Sequence, residues 1–475
     1  MEFHVSLIGR KDLSGEIYRQ LKRAILDGRL RPADPLPPSR ELALGLRVSR
    51  TTVTVAYDRL GAEGFVTSRV GAGTFVSQTV GRTAPEAKTS RSEGALQPRA
   101  VWDAIPLVAP FARPARFDFR TGLPDASLFP HDRWRRLLAR ELRSEEVASG
   151  IYAHPSGHRG LREAIARHIG IARGVNASPD DVTITSGIQQ AIDVVARVLL
   201  KPGDRVAIED PCYPAPRRLF ESLGARVVGV PVDHFGLVVE ALPRHTRVVY
   251  VTPSHQYPLG VSMALRRRMA LLAWAERNKA AIIEDDYDSE FRFGGRPIEP
   301  LQTLDTAGRV IYLGSFSKTM LPTLRLGFMV TPPSLRTAVH KAKFVTDWHT
   351  ALPLQAALAE FIDEGEFARH VRRVGAVYRT RHTTLTTGLE EELGQHLQIV
   401  PSDAGLHVAA VARAASVKEV AEAARRASEM GVEAQQLAAF AVNPPGRAGL
   451  VLGYGRIEAG RIEEGLRLIR RCFEQ

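Results

Sequence analysis

The sequence predicts an α/β protein in two parts: a small N-terminal unit of helices closed by a β-hairpin, and a large unit in which strands and helices alternate. Its 475 residues are too many for a single hydrophobic core, so we expect at least two domains. From Phe119 onward, short apolar strands alternate with helical stretches, a pattern typical of a largely parallel sheet covered by helices. The predicted strands are 182–185, 205–208, 247–251, 280–284 and 309–313.

The N-terminal unit, residues 10–78, has the element order of a winged helix-turn-helix. A first helix carries apolar residues at helical spacing, and Gly28 can end it. Ser39 is expected to cap the second helix and Ser49 the third. The run FVTSRVGAGTFV then has two β-rich segments around glycines, which predicts a hairpin.

The stretch that joins the two units and the bulk composition limit the class of protein. Residues 79–117 carry scattered prolines without periodicity, so we expect a linker there and a large domain over 118–475. The net charge of +12 favours polyanionic partners such as nucleic acid, although a basic enzyme would also show it. There is no apolar run of membrane-spanning length, no secretory signal and no cysteine framework. We therefore expect a cytoplasmic protein without a membrane partner.

Side chains suited to DNA contact lie at the starts of the second and third helices. Arg40 begins the second, and Ser49, Arg50 and Thr52 begin the third, where backbone N–H groups and the helix dipole also attract phosphate. Arg50 can reach either a base edge or the phosphate backbone. In the predicted wing, Gly71 allows close approach of the backbone to the duplex.

Four runs in this unit, LPPSRELA, VSRTTV, AYDRLGAEGF and GAGTFV, resemble the DNA-binding domain of the GntR family. The resemblance implies that double-stranded DNA is the partner. Ordinary helix caps and solvated arginines would explain any one of the matching side chains, but not the four runs together. The positions that the resemblance places at DNA are Arg40, Ser49, Arg50, Thr52 and Gly71.

Two predicted strand ends of the large unit carry groups that an aldehyde cofactor with a phosphate requires. The run LGSFSKTMLPTLRLG offers the amine of Lys318 directly after a strand. Arg325, Ser315 and Ser317 flank it and are suited to binding phosphate. The run IIEDDYDSEF offers Asp285, an acid that can face a pyridine nitrogen, and Tyr287, a donor for a phenolic oxygen.

A third strand-to-helix junction, in the run TITSGIQQAID, offers further phosphate donors. The backbone N–H groups of Ser186, Gly187 and Ile188 open a helix, and Gln189 can add a side-chain donor. Downstream, the run EDPCYP supplies Tyr213 as a stacking platform for an aromatic ring.

These runs, in this order, resemble fold-type I aminotransferases, and together with the N-terminal unit the chain is similar to the MocR subgroup of GntR regulators. The resemblance implies pyridoxal 5'-phosphate as cofactor, with Lys318 as the Schiff-base lysine, Asp285 at the pyridine nitrogen and Tyr287 at the phenolic oxygen. It also implies a homodimer, because Tyr152 matches the family tyrosine that reaches the phosphate of the partner subunit. The other implied positions are Tyr213 on the ring, and Ser186, Gly187, Ile188, Gln189, Ser315, Ser317 and Arg325 around the phosphate.

Two positions depart from the aminotransferase pattern. In the run TPSHQYPLG, Tyr257 stands where the family usually has an asparagine. His255 or Gln256 are candidates to replace it, and His255 is equally explained as a loop histidine. In the run LVLGYGRIEAG, Val451 stands where the family tends to have the arginine that holds the substrate carboxylate. Arg456 could serve instead only if the loop is shifted.

We therefore predict a transcription regulator that depends on pyridoxal phosphate. Its large domain is expected to sense the cofactor, or an amine that forms a Schiff base with it, rather than a standard α-amino acid held by an arginine. An active aminotransferase with an accessory DNA-binding domain stays open, as does a regulator that has lost the cofactor and only dimerises. No metal site is expected, because the sequence shows no other ligands clustered with Asp285.

Overall fold

The chain divides into two compact units, Met1–Pro98 and Arg99–Gln475, in the computed structural model. The division falls inside the stretch expected to be a linker. Arg99 donates from Nη2 to the carbonyl oxygen of Ser222 at 3.0 Å and precedes a short 3₁₀ helix, Ala100–Trp102. The end of that stretch therefore belongs with the large unit. The residues that the structure describes are 7, 12–69, 72–78, 96–106, 115–294 and 299–474.

The small unit has the predicted winged helix-turn-helix order. Its two strands pair antiparallel, with Val66 opposite Val76. Its core is apolar and fully buried at Ile17, Leu21 and Val53, which come from the first and third helices. The elements are α1 Leu13–Leu26, α2 Ser39–Leu46, α3 Arg50–Ala62, β1 Val66–Arg69 and β2 Gly73–Val76.

One of the two predicted helix caps is wrong. Ser39 is the first residue of α2, because Pro38 before it is extended and occupies the cap position, without a capping side chain. The Ser39 hydroxyl instead accepts from Arg50 Nε at 3.3 Å. Ser49 does cap α3, since its hydroxyl accepts from the Thr52 N–H at 3.1 Å.

The large unit alternates strands and helices for most of its length. Its first half comprises β3 Phe117–Asp118, α4 His131–Glu141, α5 Glu145–Ala148, α6 Arg159–Arg173, β4 Val182–Thr185, α7 Ile188–Leu199, β5 Arg205–Asp210, α8 Pro214–Ser222, β6 Arg226–Asp233, β7 Gly236–Leu237, β8 Thr246–Val251, α9 Leu265–Asn278 and β9 Ala281–Asp286. Its second half comprises α10 Leu301–Leu304, β10 Val310–Ser315, β11 Gly327–Val330, α11 Pro333–Asp347, α12 Leu352–Asp363, α13 Glu366–Leu393, β12 Leu397–Ile399, β13 His407–Ala412, α14 Val417–Glu429, β14 Val432–Glu433, β15 Gln435–Gln436, β16 Gly449–Gly453 and α15 Ala459–Phe473.

An eight-stranded sheet forms the centre of the large unit, in the order β4-β11-β10-β9-β8-β5-β6-β7. The run from β10 to β6 is parallel, whereas β11 is antiparallel to both neighbours and β7 to β6. The sheet is therefore largely parallel, as predicted. In such a sheet the carboxyl ends of neighbouring strands lie at one edge, where ligands usually bind. Here β9 and β10 end side by side, with Asp285 opposite Leu313.

A second, four-stranded sheet, in the order β12-β13-β16-β15, lies in the C-terminal part. Its strands are antiparallel, and β16 lies between β13 and β15. The helices α13 and α15 contribute apolar residues such as Leu385 and Leu466 to the core beneath it. In the described part of the chain, no helix combines the length and the apolar character needed to cross a membrane.

Candidate cofactor site and DNA-binding face

Lys318 lies in the loop after β10, and its amine points to the backbone of another segment. Nζ donates to the carbonyl oxygen of Gly122 at 2.8 Å. Burial lowers the pKa of Lys318, although the nearby carboxylates of Asp288 and Asp285 act in the opposite direction. A lowered pKa keeps more of the amine neutral, and the neutral amine is the nucleophile that attacks an aldehyde.

Asp285 lies at the end of β9 and has one carboxylate oxygen without a partner. Oδ2 accepts from the Tyr250 hydroxyl at 2.5 Å. Oδ1 is buried, with no hydrogen-bond partner among the described residues. Burial raises the pKa of Asp285 to about 7. A buried acceptor of this kind is costly unless a donor reaches it, and the protonated nitrogen of a pyridine ring is such a donor.

The junction between β4 and α7 forms a turn against a guanidinium. Arg325, itself at φ +51°, donates from Nη2 to the carbonyl oxygen of Ser186 at 2.8 Å. Gly187 has φ +81°, and no side chain caps the helix that begins at Ile188. On the neighbouring loop, the Ser315 hydroxyl accepts from the N–H of Ser317 at 3.0 Å. A cationic side chain beside an open helix N-terminus favours phosphate by both charge and N–H geometry.

Two of the expected phosphate donors are already engaged within the chain. The N–H of Ser186 donates to the side-chain oxygen of Gln190 at 2.8 Å. The amide nitrogen of Gln189 donates to the carbonyl oxygen of Ala215 at 3.2 Å, while its Oε1 is buried without a partner in the described residues. The N–H groups of Gly187 and Ile188, with Arg325, are the better candidates for phosphate.

His255 belongs to a buried hydrogen-bonded group with Tyr287 and Asp288. The Tyr287 hydroxyl donates to the carbonyl oxygen of His255 at 2.9 Å and lies 3.0 Å from its Nδ1. The same Nδ1 lies 3.0 Å from Asp288 Oδ2, and Nε2 is buried with no partner in the described part of the chain. His255 is thus held in place by the carboxylate of Asp288.

Three side chains of metal-ligating types cluster in the structure, although the sequence indicates no such cluster. Ligand atoms of His255, Asp288 and His407 all lie within 4.8 Å of one another, and the three residues are buried. Within the group, His255 pairs with Asp288, and His407 Nε2 lies 3.0 Å from the carbonyl oxygen of Pro258.

The two tyrosines implied as ring and partner contacts are both exposed in the single chain. Tyr213 is 43% exposed, and its ring lies 5.6 Å from that of Tyr257, at the edge of the site. Tyr152 is 69% exposed and stacks on Trp348 at 4.4 Å between ring centroids.

The sequence pattern missed three positions at this site. Asp288, which holds His255, follows Asp285 in the same acidic run, and that run was a signal that could have found it. Gly122, which accepts from Lys318, and Gln435, which accepts from the Thr121 N–H at 2.9 Å, come from distant segments without a chemical motif. No local pattern indicates either of them.

The described groups fit a pyridoxal phosphate. The unpaired Oδ1 of Asp285 matches a protonated ring nitrogen, the amine of Lys318 matches the aldehyde, and Arg325 beside Gly187 matches the phosphate. Gly187 and the guanidinium of Arg325 pack so closely that a Cβ on Gly187 would lie 2.9 Å from Arg325 Nη2.

Four of the five expected DNA contacts lie at neighbouring helix starts of the small unit. Arg40, Ser49 and Arg50 are exposed and Thr52 is partly exposed. The bond from Arg50 to Ser39 brings the start of α2 beside the start of α3, so these side chains share one face. Gly71 lies outside the described residues.

The two units match two different protein families. Residues 123–467 match aminotransferase class I and II, and residues 13–76 match bacterial regulatory proteins of the gntR family. The probable rhizopine catabolism regulatory protein MocR of Rhizobium meliloti is 38% identical over 96% of this chain and 93% of that protein. The HTH-type transcriptional regulator TauR of Rhodobacter capsulatus is 37% identical over 81% of each chain. The solved structure of Pyrococcus horikoshii kynurenine aminotransferase in complex with PMP is similar to 75% of this chain and 90% of that one, with a TM-score of 0.70 and 29% identity.

Proposed function

This chain belongs to the MocR-type regulators of the gntR family, and from this premise we propose that its large domain is a sensor that controls operator binding by the small domain. It is a DNA-binding transcription regulator with pyridoxal phosphate as cofactor. The signal that we propose is the cofactor itself, or a primary amine that reacts with it. We also propose that it acts in the cytoplasm as a homodimer.

One observation carries the sensor proposal: the groups proposed to hold the cofactor are all present, whereas Val451 stands where the arginine for a substrate carboxylate is expected. The unpaired Oδ1 of Asp285, the amine of Lys318 and the guanidinium of Arg325 support this part of the proposal. Val451 is fully buried within β16 and contributes no charge. A protein that reads the cofactor, or an amine on it, needs the first set of groups but not the arginine.

Each side chain has a defined part in this proposal. When bound, the cofactor supplies an aldehyde carbon at which one primary amine can replace another, with one C–N bond formed and one broken. Lys318 supplies the resident amine, and the carbonyl oxygen of Gly122 holds that amine in place. Asp285 keeps a proton on the ring nitrogen, and Arg325 anchors the phosphate. The partner's Tyr152 is proposed to complete the phosphate site.

The test is the visible absorption of the purified, cofactor-loaded protein. We expect an absorption band that Lys318→Ala abolishes, because no other residue of the run LGSFSKTMLPTLRLG supplies an amine. Lys341→Ala, which changes an exposed lysine of α11, is the matched control and should leave the band unchanged. A parent protein that takes up no cofactor, or a band that survives in Lys318→Ala, would refute the proposal.

The second candidate function, an active aminotransferase, is favoured by the same complete set of cofactor groups and by the similarity to the kynurenine aminotransferase. Steady-state turnover with an amino donor and a keto acceptor separates the two functions. Sustained turnover would identify an enzyme, whereas a change in operator affinity without turnover would identify a sensor.

A further inference from the structure

We propose that the amine sensed by this protein carries no carboxylate and that its remaining polar groups are uncharged, such as hydroxyls. This inference rests on the proposed function and names the ligand class. It starts from the observation that the two departures from the aminotransferase pattern, Tyr257 and Val451, belong to one apolar cluster. Val451 packs with Val232, Leu259, Ala409, Leu437 and Phe440, and Tyr257 packs against this group.

Tyr257 connects this apolar cluster to the cofactor site. Its ring lies 5.3 Å from Phe440 on one side. It also lies 5.6 Å from Tyr213 and 5.9 Å from Tyr287, the two tyrosines expected at the cofactor ring. The wall on which the family arginine would stand is therefore uncharged, and the residue that completes it is a phenol.

An array of neutral polar groups lines the same wall. The Tyr257 hydroxyl lies 2.6 Å from the Thr121 hydroxyl, and Thr121 precedes Gly122, which accepts from Lys318. Gln435 is the cross-strand neighbour of Val451, and its Oε1 accepts from the Thr121 N–H at 2.9 Å. A backbone N–H can only donate, so this bond fixes the orientation of the Gln435 amide.

The array leaves one donor group for a ligand. With Oε1 of Gln435 engaged, its Nε2 makes no hydrogen bond to any described residue. The Thr121 hydroxyl also donates to that Oε1, so the Tyr257 hydroxyl donates to Thr121. The wall therefore presents the Nε2 of Gln435 as a neutral donor and the hydroxyl oxygens as neutral acceptors. Such groups bind hydroxyls well, but they cannot replace a cation opposite a carboxylate.

The nearby cations are already paired with a carboxylate. Arg120 donates to Asp118 from Nε at 2.7 Å and from Nη2 at 2.6 Å. Arg456, the alternative clamp, has Nη1 at 3.8 Å from the same Asp118. Among the described residues, neither of these two arginines is left unpaired to face a ligand carboxylate at this wall, so that carboxylate would be desolvated without either guanidinium as a partner.

The test compares matched amines on the cofactor-loaded protein: L-alanine with L-alaninol, and β-alanine with 3-aminopropanol. Each pair differs in a carboxylate against a hydroxymethyl group. The readouts are the shift of the visible band and the operator affinity at saturating amine. We expect each amino alcohol to bind at least about tenfold more tightly than its amino acid, because the carboxylate is desolvated without a cation.

Two variants locate the contact. Tyr257→Phe keeps the ring and removes the hydroxyl. It should therefore weaken the binding of 3-aminopropanol by about fivefold, the effect of one net hydrogen bond. It should leave propylamine, which has no hydroxyl, unchanged. Arg456→Ala is the control for the alternative clamp and should change the affinity for neither amine of a pair.

The outcomes separate this inference from the function on which it rests. Amino acids that bind more tightly than their alcohols, above all with loss of that binding in Arg456→Ala, would overturn the inference and leave the sensor proposal intact. A loaded protein that responds to no amine would also overturn it, with the cofactor itself as the signal. A parent protein that takes up no cofactor would refute the proposed function itself.

Discussion

Replacing Gly187 by alanine should weaken cofactor binding while the protein stays folded. Gly187 lies between β4 and α7 with φ +81° and ψ 174°, a backbone region that only glycine adopts readily. A Cβ placed there would lie 2.9 Å from Nη2 of Arg325 and 3.2 Å from its Cζ. The substitution therefore strains the backbone and displaces the guanidinium expected to bind phosphate.

The two effects have different sizes and different readouts. The backbone strain should lower the free energy of unfolding by about 1–3 kcal/mol. Displacement of Arg325 removes a charge-assisted hydrogen bond worth about 1.5–3 kcal/mol, so the dissociation constant of the cofactor should rise by about 10- to 150-fold. The first effect is measured by urea unfolding, and the second by titrating the cofactor-free protein with pyridoxal phosphate.

Gly203→Ala is the matched control, near the other end of α7. Gly203 also has a positive φ, +89°, but nothing lies within 4 Å of a Cβ built on it. We expect this variant to lose stability through backbone strain and to keep the cofactor affinity of the parent within about twofold. A Gly187→Ala variant that binds the cofactor like the parent, or an equal loss of cofactor affinity in both variants, would contradict this prediction.

Three further predictions test the DNA contact, the assembly and the buried acid. Arg50→Ala should weaken operator binding by roughly 1–3 kcal/mol; loss at one base pair only would indicate base readout, and uniform loss with a shallower salt dependence would indicate phosphate contact. The cofactor-loaded protein should sediment as a dimer, and Tyr152→Ala should weaken cofactor binding. A monomer that retains the cofactor would contradict the predicted shared site. Burial raises the pKa of Asp285 to about 7, well above its unfolded value of about 4. Stability of the cofactor-free protein should therefore fall as pH rises from about 4 to 7. Asp285→Asn should remove up to about 1.4 kcal/mol per pH unit of that fall in urea unfolding.

The central strands and the cofactor groups beside them were predictable because they are local in sequence. Residues 182–185 are β4 as predicted, and the other predicted strands lie within one residue of an observed start. A buried strand is an uninterrupted apolar run, and its polar end marks the sheet edge. Lys318 and Asp285 follow two such runs, and parallel pairing of β9 with β10 then brings them to one edge.

The wall on which the family arginine would stand was not predictable, because its residues meet only in the folded chain. Thr121, Tyr257 and Gln435 come from three distant segments. Tyr257 stands out in the sequence only as a departure from the aminotransferase pattern, and the other two are ordinary polar residues. The prediction that Ser39 caps α2 was wrong for a local reason instead. The rule that a serine before a helical run caps the helix does not hold when the preceding proline, Pro38, is extended and takes the cap position.

The neutral wall also limits how strongly an amine can change DNA binding. A ligand shifts an equilibrium between two conformations by no more than the difference in its affinity for them. Exchange of one amine for another at the same carbon makes as many bonds as it breaks, so the difference must come from the new contacts. If Tyr257, Thr121 and Gln435 each add a net hydrogen bond of about 1 kcal/mol in only one conformation, the total is about 3 kcal/mol. That corresponds to about a 150-fold change in operator affinity. A larger response would need a contact outside this wall, such as a charge in the partner subunit.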